Sequence, residues 1–124
     1  MPSKKILIVD DDEDVRHGLN MRLRASGYDT VFAVDGISAI SVAKREQPDV
    51  VLLDLGLPAG DGFLVMQRMK ANPSLGCIPV IVVSCRDAQD NAGRAIHEGA
   101  VAYFQKPAAN SDLLGAIGDA IGAP

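Results

Sequence analysis

Short aliphatic runs recur along the chain, and polar stretches with helical spacing separate them. Three runs are uninterrupted: Ile6-Leu7-Ile8-Val9, Val50-Val51-Leu52-Leu53 and Val80-Ile81-Val82-Val83. A strand with one face in water alternates apolar and polar side chains. A run that is apolar at every position has both faces covered, as in a parallel sheet between two helical layers. Residues 28–33 and 101–105 read as two weaker strands at or near the sheet edges.

The intervening stretches predict five helices. Residues 13–26 place Val15, Leu19 and Leu23 on one face, with Gly27 as a stop signal. Residues 37–46 form a second helix that ends before Pro48, and residues 62–71 a third, with Phe63, Met66 and Met69 inward, that ends before Pro73. Residues 88–98 form a fourth, with Ala92, Ala95 and Ile96 as its inner face and Gly99 as its stop. A fifth follows Asn110, read as its N-cap, and carries Leu113, Leu114, Ile117 and Ile121. Asp12 and Asp14 read as caps or solvated residues beside the dipole of the first helix. Five strand-then-helix units joined by right-handed crossovers predict an α/β fold. Its form is a doubly wound, five-stranded parallel sheet of order 2-1-3-4-5, with helices on both faces.

Composition narrows the function. A length of 124 residues suits one compact domain spanning 1–124, and 48% hydrophobic residues supply its core. No run of about 18 apolar residues exists, so no membrane span is expected. The apolar stretch after the basic Met1-Pro2-Ser3-Lys4-Lys5 lasts only from Ile6 to Val9, too short for a signal peptide. A cytoplasmic location is the expectation. The net charge of −4, with no block of lysine or arginine, argues against direct nucleic-acid binding. Cys77 and Cys85 lack metal-site spacing and read as reduced thiols, Cys85 as a small buried hydrophobe. His17 and His97 read as surface residues.

The polar residues at the strand ends carry the chemistry. In open α/β sheets, ligands bind beyond the carboxyl ends of the strands, at the point where strand order reverses. The first strand ends in Asp10-Asp11-Asp12, the third in Asp54, the fourth in Ser84 and the fifth in Lys106. Four strands therefore deliver a charged or hydroxyl side chain to one rim. Asp10, Asp11 and Asp54 would repel there unless one took up a proton or a cation neutralised them. A hard divalent cation with oxygen ligands meets that need, and Mg²⁺ suits best because it needs few protein ligands. Lys106 adds positive charge beside Asp54, so an anion such as a phosphoryl group fits between metal and ammonium.

These residues resemble the response-regulator receiver family, the CheY-like fold, over essentially the whole chain. The resemblance lies in Ile6-Leu7-Ile8-Val9-Asp10-Asp11, in Val51-Leu52-Leu53-Asp54-Leu55-Gly56-Leu57-Pro58 with Asp61-Gly62, in Pro79 through Ser84, and in Gly99-Ala100 with Tyr103-Phe104-Gln105-Lys106-Pro107. It implies that Asp54 accepts a phosphoryl group from a sensor histidine kinase or a phosphotransfer protein. It implies direct Mg²⁺ binding by Asp11, Asp54 and the backbone carbonyl of Gly56, with Asp10 acting through water; Mn²⁺ would substitute. Ser84 would be the switch hydroxyl, and Tyr103 would swing into the space it vacates. That repacks the surface of the fourth helix, fifth strand and fifth helix, which a downstream partner reads. The Lys106–Pro107 bond is expected to be cis. A homodimer stays open.

The pattern departs at several points. Gly56 stands where a larger side chain is frequent, and Arg86 flanks the same opening, where it could shield phosphate or orient water. Ser84 stands where threonine is commoner. Gly115 and Gly118 weaken the last helix, each by about 1 kcal/mol relative to alanine. Two other readings compete with a switch that lacks sustained turnover. One is a degenerate receiver that only binds protein; the intact set of Asp10, Asp11, Asp54, Ser84 and Lys106 disfavours it. The other is a metal-dependent aspartyl phosphatase of the haloacid dehalogenase kind, which would carry a second aspartate where Gly56 stands.

Overall fold

The three uninterrupted aliphatic runs form the centre of a five-stranded parallel sheet in a computed structural model. The structure describes residues 3–124; Met1 and Pro2, the start of the basic N-terminus, lie outside the described residues. The strands are β1 (Lys5–Val9), β2 (Asp29–Ala33), β3 (Val50–Leu53), β4 (Val80–Ser84) and β5 (Ala102–Gln105). Their order is β2-β1-β3-β4-β5, and every pairing is parallel. The helices are α1 (Glu13–Ala25), α2 (Gly36–Glu46), α3 (Gly62–Ala71), α4 (Ala88–His97) and α5 (Asn110–Ile121). No helix is long and apolar enough to cross a membrane among the described residues.

Continuous burial along the central strands splits by side-chain alternation into two cores. Leu7, Val9, Val51, Leu53 and Val82 point to one face and pack with Ala39, Val42 and Ala43 of α2, Phe63, Val65, Met66 and Met69 of α3, and Ala95 of α4. Ile6, Ile8, Val50, Leu52, Ile81 and Val83 point to the other and pack with Leu19 and Leu23 of α1 and Leu113 and Ile117 of α5. Each of the larger side chains, from valine to phenylalanine, contributes roughly 1.5–3 kcal/mol by leaving water. Together they hold the strand ends in register.

Local signals explain most helix starts. Asp12 caps α1 by accepting from the N–H groups of Asp14 and Val15. Asp35 and Ser38 form a reciprocal capping box at α2. Asp61 caps α3 through Phe63 and Leu64, and Asp87 caps α4 through Gln89.

Three expectations are corrected. Asn110 is the first residue of α5 rather than its cap. Ala109 holds the cap position with extended backbone and no side-chain bond. Ile96 is 49% exposed instead of facing the core, because α4 meets the sheet along a narrow line centred on Ala95. Cys85 is exposed: β4 ends at Ser84, so the next residue leaves the sheet and lies on the rim.

Candidate functional site

The crossover between β1 and β3 brings the acids together. Asp10 follows β1, its N–H donating to Ala33 O, and Asp54 follows β3, its N–H donating to Val9 O. Both are buried, whereas Asp11 is exposed. One carboxylate oxygen from each of Asp10, Asp11 and Asp54 lies within 4.8 Å of the other two. Repulsion on that scale calls for a counter-charge. Lys106, delivered by β5, provides one: its Nζ is 2.6 Å from Asp10 Oδ2 and 3.5 Å from Asp54 Oδ2. The lysine thus sits chiefly on Asp10, and Asp54 is its second, looser partner.

The charges tune one another. Burial lifts the Asp10 carboxyl above its ordinary value, and the hydrogen bonds from Lys106 and the Asp12 N–H only partly offset it. Burial is also the largest influence on Lys106 and would lower its ammonium. The hydrogen bond to Asp10 and the charges of Asp10 and Asp54 together outweigh burial, so Lys106 is raised.

On the acid side, the loop after Asp54 is tightly seated. Gly56 N–H donates to Asp54 Oδ1 at 3.3 Å, and Gly62 N–H donates to Leu55 O at 2.9 Å. A Cβ on Gly62 would lie 2.6 Å from the Asp54 carbonyl oxygen, so only glycine allows this approach. Gly36 N–H donates to Pro58 O, and a Cβ on Gly36 would meet the Gly60 carbonyl oxygen at 2.3 Å. Ala59, in the same loop, adopts φ +53, the left-handed region that costs a non-glycine residue energy.

The opposite side is built from polar links. Ser84 is buried, and its Oγ accepts from Arg86 N–H at 3.2 Å. Tyr103 is half-buried, and its hydroxyl donates to Arg86 O at 2.8 Å. Burial raises the Tyr103 phenol, against a hydrogen bond with Ser84 that lowers it. Gln105 Oε1 accepts from Ala88 N–H at the start of α4. The Lys106–Pro107 peptide is cis. It borders an apolar groove of about 440 Å³ between α1 and Ala108, and Cys85 lines that groove.

Asp10, Asp11, Asp54, Gly56, Ser84 and Lys106 therefore lie on one rim at the carboxyl ends of the strands, and Tyr103 reaches it through Arg86. Gly36, Asp61 and Gln105 were not singled out as site-building residues. Asp61 carried a signal, an aspartate ahead of an apolar helical run. The other two act through long-range contacts that leave no local trace.

The comparisons with known proteins agree with this fold. The family model of the response regulator receiver domain matches residues 6–118. The chain belongs to that family, the receiver domains of response regulators in two-component signalling. It is 35% identical over 115 residues to the transcriptional regulatory protein PrrA of Mycobacterium tuberculosis, covering 93% of this chain and 48% of that protein. It is 38% identical over 113 residues to YxdJ of Bacillus subtilis, covering 91% of this chain and 48% of that protein. The chain thus spans about half the length of these curated relatives. Among solved structures, a putative response regulator from Chloroflexus aurantiacus superposes with TM-score 0.89 at 26% identity, covering 97% of this chain and 98% of that one. The receiver domain of a sensor histidine kinase from Pseudomonas aeruginosa PAO1, solved with a magnesium ion coordinated in its active site cleft, matches with TM-score 0.89 at 26% identity. That match covers 98% of this chain and all of the other.

Proposed function

We propose that residues 1–124 act as one phospho-accepting receiver domain, with Asp54 as the nucleophile. The reading rests on one observation: three carboxylates converge within 4.8 Å, and a lysine ammonium stands 3.5 Å from the one that ends the third strand. The donor set is all oxygen, mostly charged and partly open to solvent, which fits a hard divalent ion. Asp11, Asp54 and the Gly56 backbone carbonyl would hold Mg²⁺ directly, and Asp10 through water; Mn²⁺ would substitute. When bound, Mg²⁺ supplies positive charge that relieves the crowded acids and favours the phosphoryl oxygens.

The chain's own groups do the rest. A carboxylate oxygen of Asp54 forms a bond to phosphorus as the bond to the histidine nitrogen of the donor breaks. The product is an acyl phosphate, and the leaving imidazole keeps the electron pair. Lys106 offers an ammonium to one phosphoryl oxygen, and Ser84 offers its hydroxyl to another. When Ser84 moves, Tyr103 loses its present setting beside Arg86 and turns inward, so the surface of α4, β5 and α5 changes for a downstream protein. The chain works as a switch that labels itself, with a sensor kinase or phosphotransfer protein upstream.

Incubation with a small acyl phosphate and Mg²⁺ tests this. The wild type should take up one phosphoryl group per chain, require the divalent ion and release phosphate slowly. Asp54→Ala should take up none. Labelling that persists in Asp54→Ala removes Asp54 as the acceptor, and sustained multiple turnover would mark a phosphatase instead.

A further inference from the structure

Arg86 sits two residues beyond Ser84, and its backbone is held at both ends. Its N–H donates to Ser84 Oγ, and its carbonyl accepts from the Tyr103 hydroxyl. From that anchored backbone the side chain reaches the β3–α3 loop, where Nη1 lies 3.9 Å from Asp61 Oδ2. Asp61 is anchored as well. Its other carboxylate oxygen, Oδ1, accepts from the N–H groups of Phe63 and Leu64, and the following Gly62 presses on the Asp54 carbonyl. The pair therefore ties together the two loops that flank Asp54. The space at Gly56, two residues after Asp54, is open, since a Cβ there would meet nothing within 4 Å.

We infer that Asp61 and Arg86 form an electrostatic clasp across the phosphorylation cleft, in which Asp61 holds the guanidinium at rest and a phosphoryl group on Asp54 takes it over. The inference rests on Asp54 being the acceptor. Both side chains are about 40% exposed, 39% for Arg86 and 44% for Asp61. A pair this open and this long is weak, so it opens easily. A phosphoryl group carries about −1.5 to −2 charge and three acceptor oxygens, against the single charge of Asp61, and wins the guanidinium. Because Ser84 and Tyr103 both bond to the Arg86 backbone, the exchange pulls on both switch groups through one residue. Asp61 is a positioning residue in this scheme: it acts through Arg86 and does not touch the phosphoryl group.

Equilibrium titration with beryllofluoride, a phosphoryl mimic, in the presence of Mg²⁺ tests the clasp. Asp61→Asn keeps an N-cap acceptor and removes the charge; Asp61→Ser is a second cap-competent variant. Each should bind beryllofluoride roughly two- to five-fold more tightly than wild type, the range of an ion pair this exposed. The gain should vanish in the Arg86→Gln background and shrink at high salt. Unchanged or weaker binding by both Asp61 variants overturns the clasp, and so does a gain that survives without Arg86. Failure of the acceptor reading looks different, because then the wild type itself neither binds beryllofluoride nor labels on Asp54.

Discussion

Helices α3 and α4 have ten residues each and both leave the carboxyl rim of the sheet, one after Asp54 and one after Ser84. They are attached in opposite ways. The α3 helix buries Gly62, Phe63, Val65, Met66 and Met69. The α4 helix buries only Ala95. What holds α4 is a set of directed contacts: the Asp87 cap, Gln105 Oε1 on Ala88 N–H, the Tyr103 hydroxyl on Arg86 O, and the Arg94 guanidinium 3.8 Å from the centroid of the Phe63 ring. A buried apolar side chain must leave its place entirely to move, at a cost of about 1.5–3 kcal/mol. A hydrogen bond contributes a net of about 0.5–1.5 kcal/mol and can be exchanged for another. The comparison teaches that the α3 side of the acids is set by packing, while the α4 side is set by replaceable polar contacts. That division suits the proposed switch, in which the reactive groups stay put while the surface of α4, β5 and α5 moves.

The largest test sets one helix against the other. Phe63→Ala should lower stability by about 3–5 kcal/mol in urea denaturation, since it opens a cavity in the core and removes the ring under Arg94. Ile96→Ser, on the exposed side of α4, should stay within about 0.5 kcal/mol of wild type. Comparable losses in the two variants would erase the distinction. A finer test removes one strap. Arg94→Met should cost about 0.5–1 kcal/mol, the value of an exposed cation–π contact. It should also speed amide hydrogen exchange in α4 while leaving α3 unchanged. Equal acceleration in both helices would show that they open as one unit.

The same contrast governs how much was legible in the sequence. Continuous apolar runs announce parallel strands directly, because covering both faces forces every position to be apolar. Asp10, Asp54 and Ser84, at the ends of those runs, and Lys106, at the end of the weaker fifth strand, follow once strand order is known. The packing of α3 was legible through Phe63, Met66 and Met69. The loose seating of α4 was not, because periodicity reports which residues are apolar and not how wide a contact the neighbouring elements allow. Ile96 has helical spacing and still faces water. Cys85 was misread for a related reason: it continues the β4 run in sequence, but the strand ends one residue earlier. The close approaches of Gly36 to Gly60 and of Gly62 to Asp54 join residues from separate loops. The link from Lys106 to Asp10 spans 96 residues and reverses the simple expectation that the lysine faces Asp54 first.

The smallest effect is a pH dependence confined to the acid side. Burial holds the Asp10 carboxyl above its ordinary value of 3.8, so the folded protein takes up that proton at a higher pH than an exposed aspartate does. The proton and a divalent cation compete for the same charge cluster. Mg²⁺ affinity, followed by the rise in Tm that excess Mg²⁺ produces, should therefore begin to fall as pH drops through the raised Asp10 value. Ligands with ordinary pKa values would keep their affinity down to about pH 4. Without metal the sign is opposite. Between the ordinary and the raised value, only the folded state keeps the proton, so Asp10 makes the protein less stable as pH rises through that window. Bound Mg²⁺ should also slow amide exchange around residues 54–62 more than in α4. A Tm rise indifferent to pH down to about 4 would mean that Asp10 ionises as an exposed acid does.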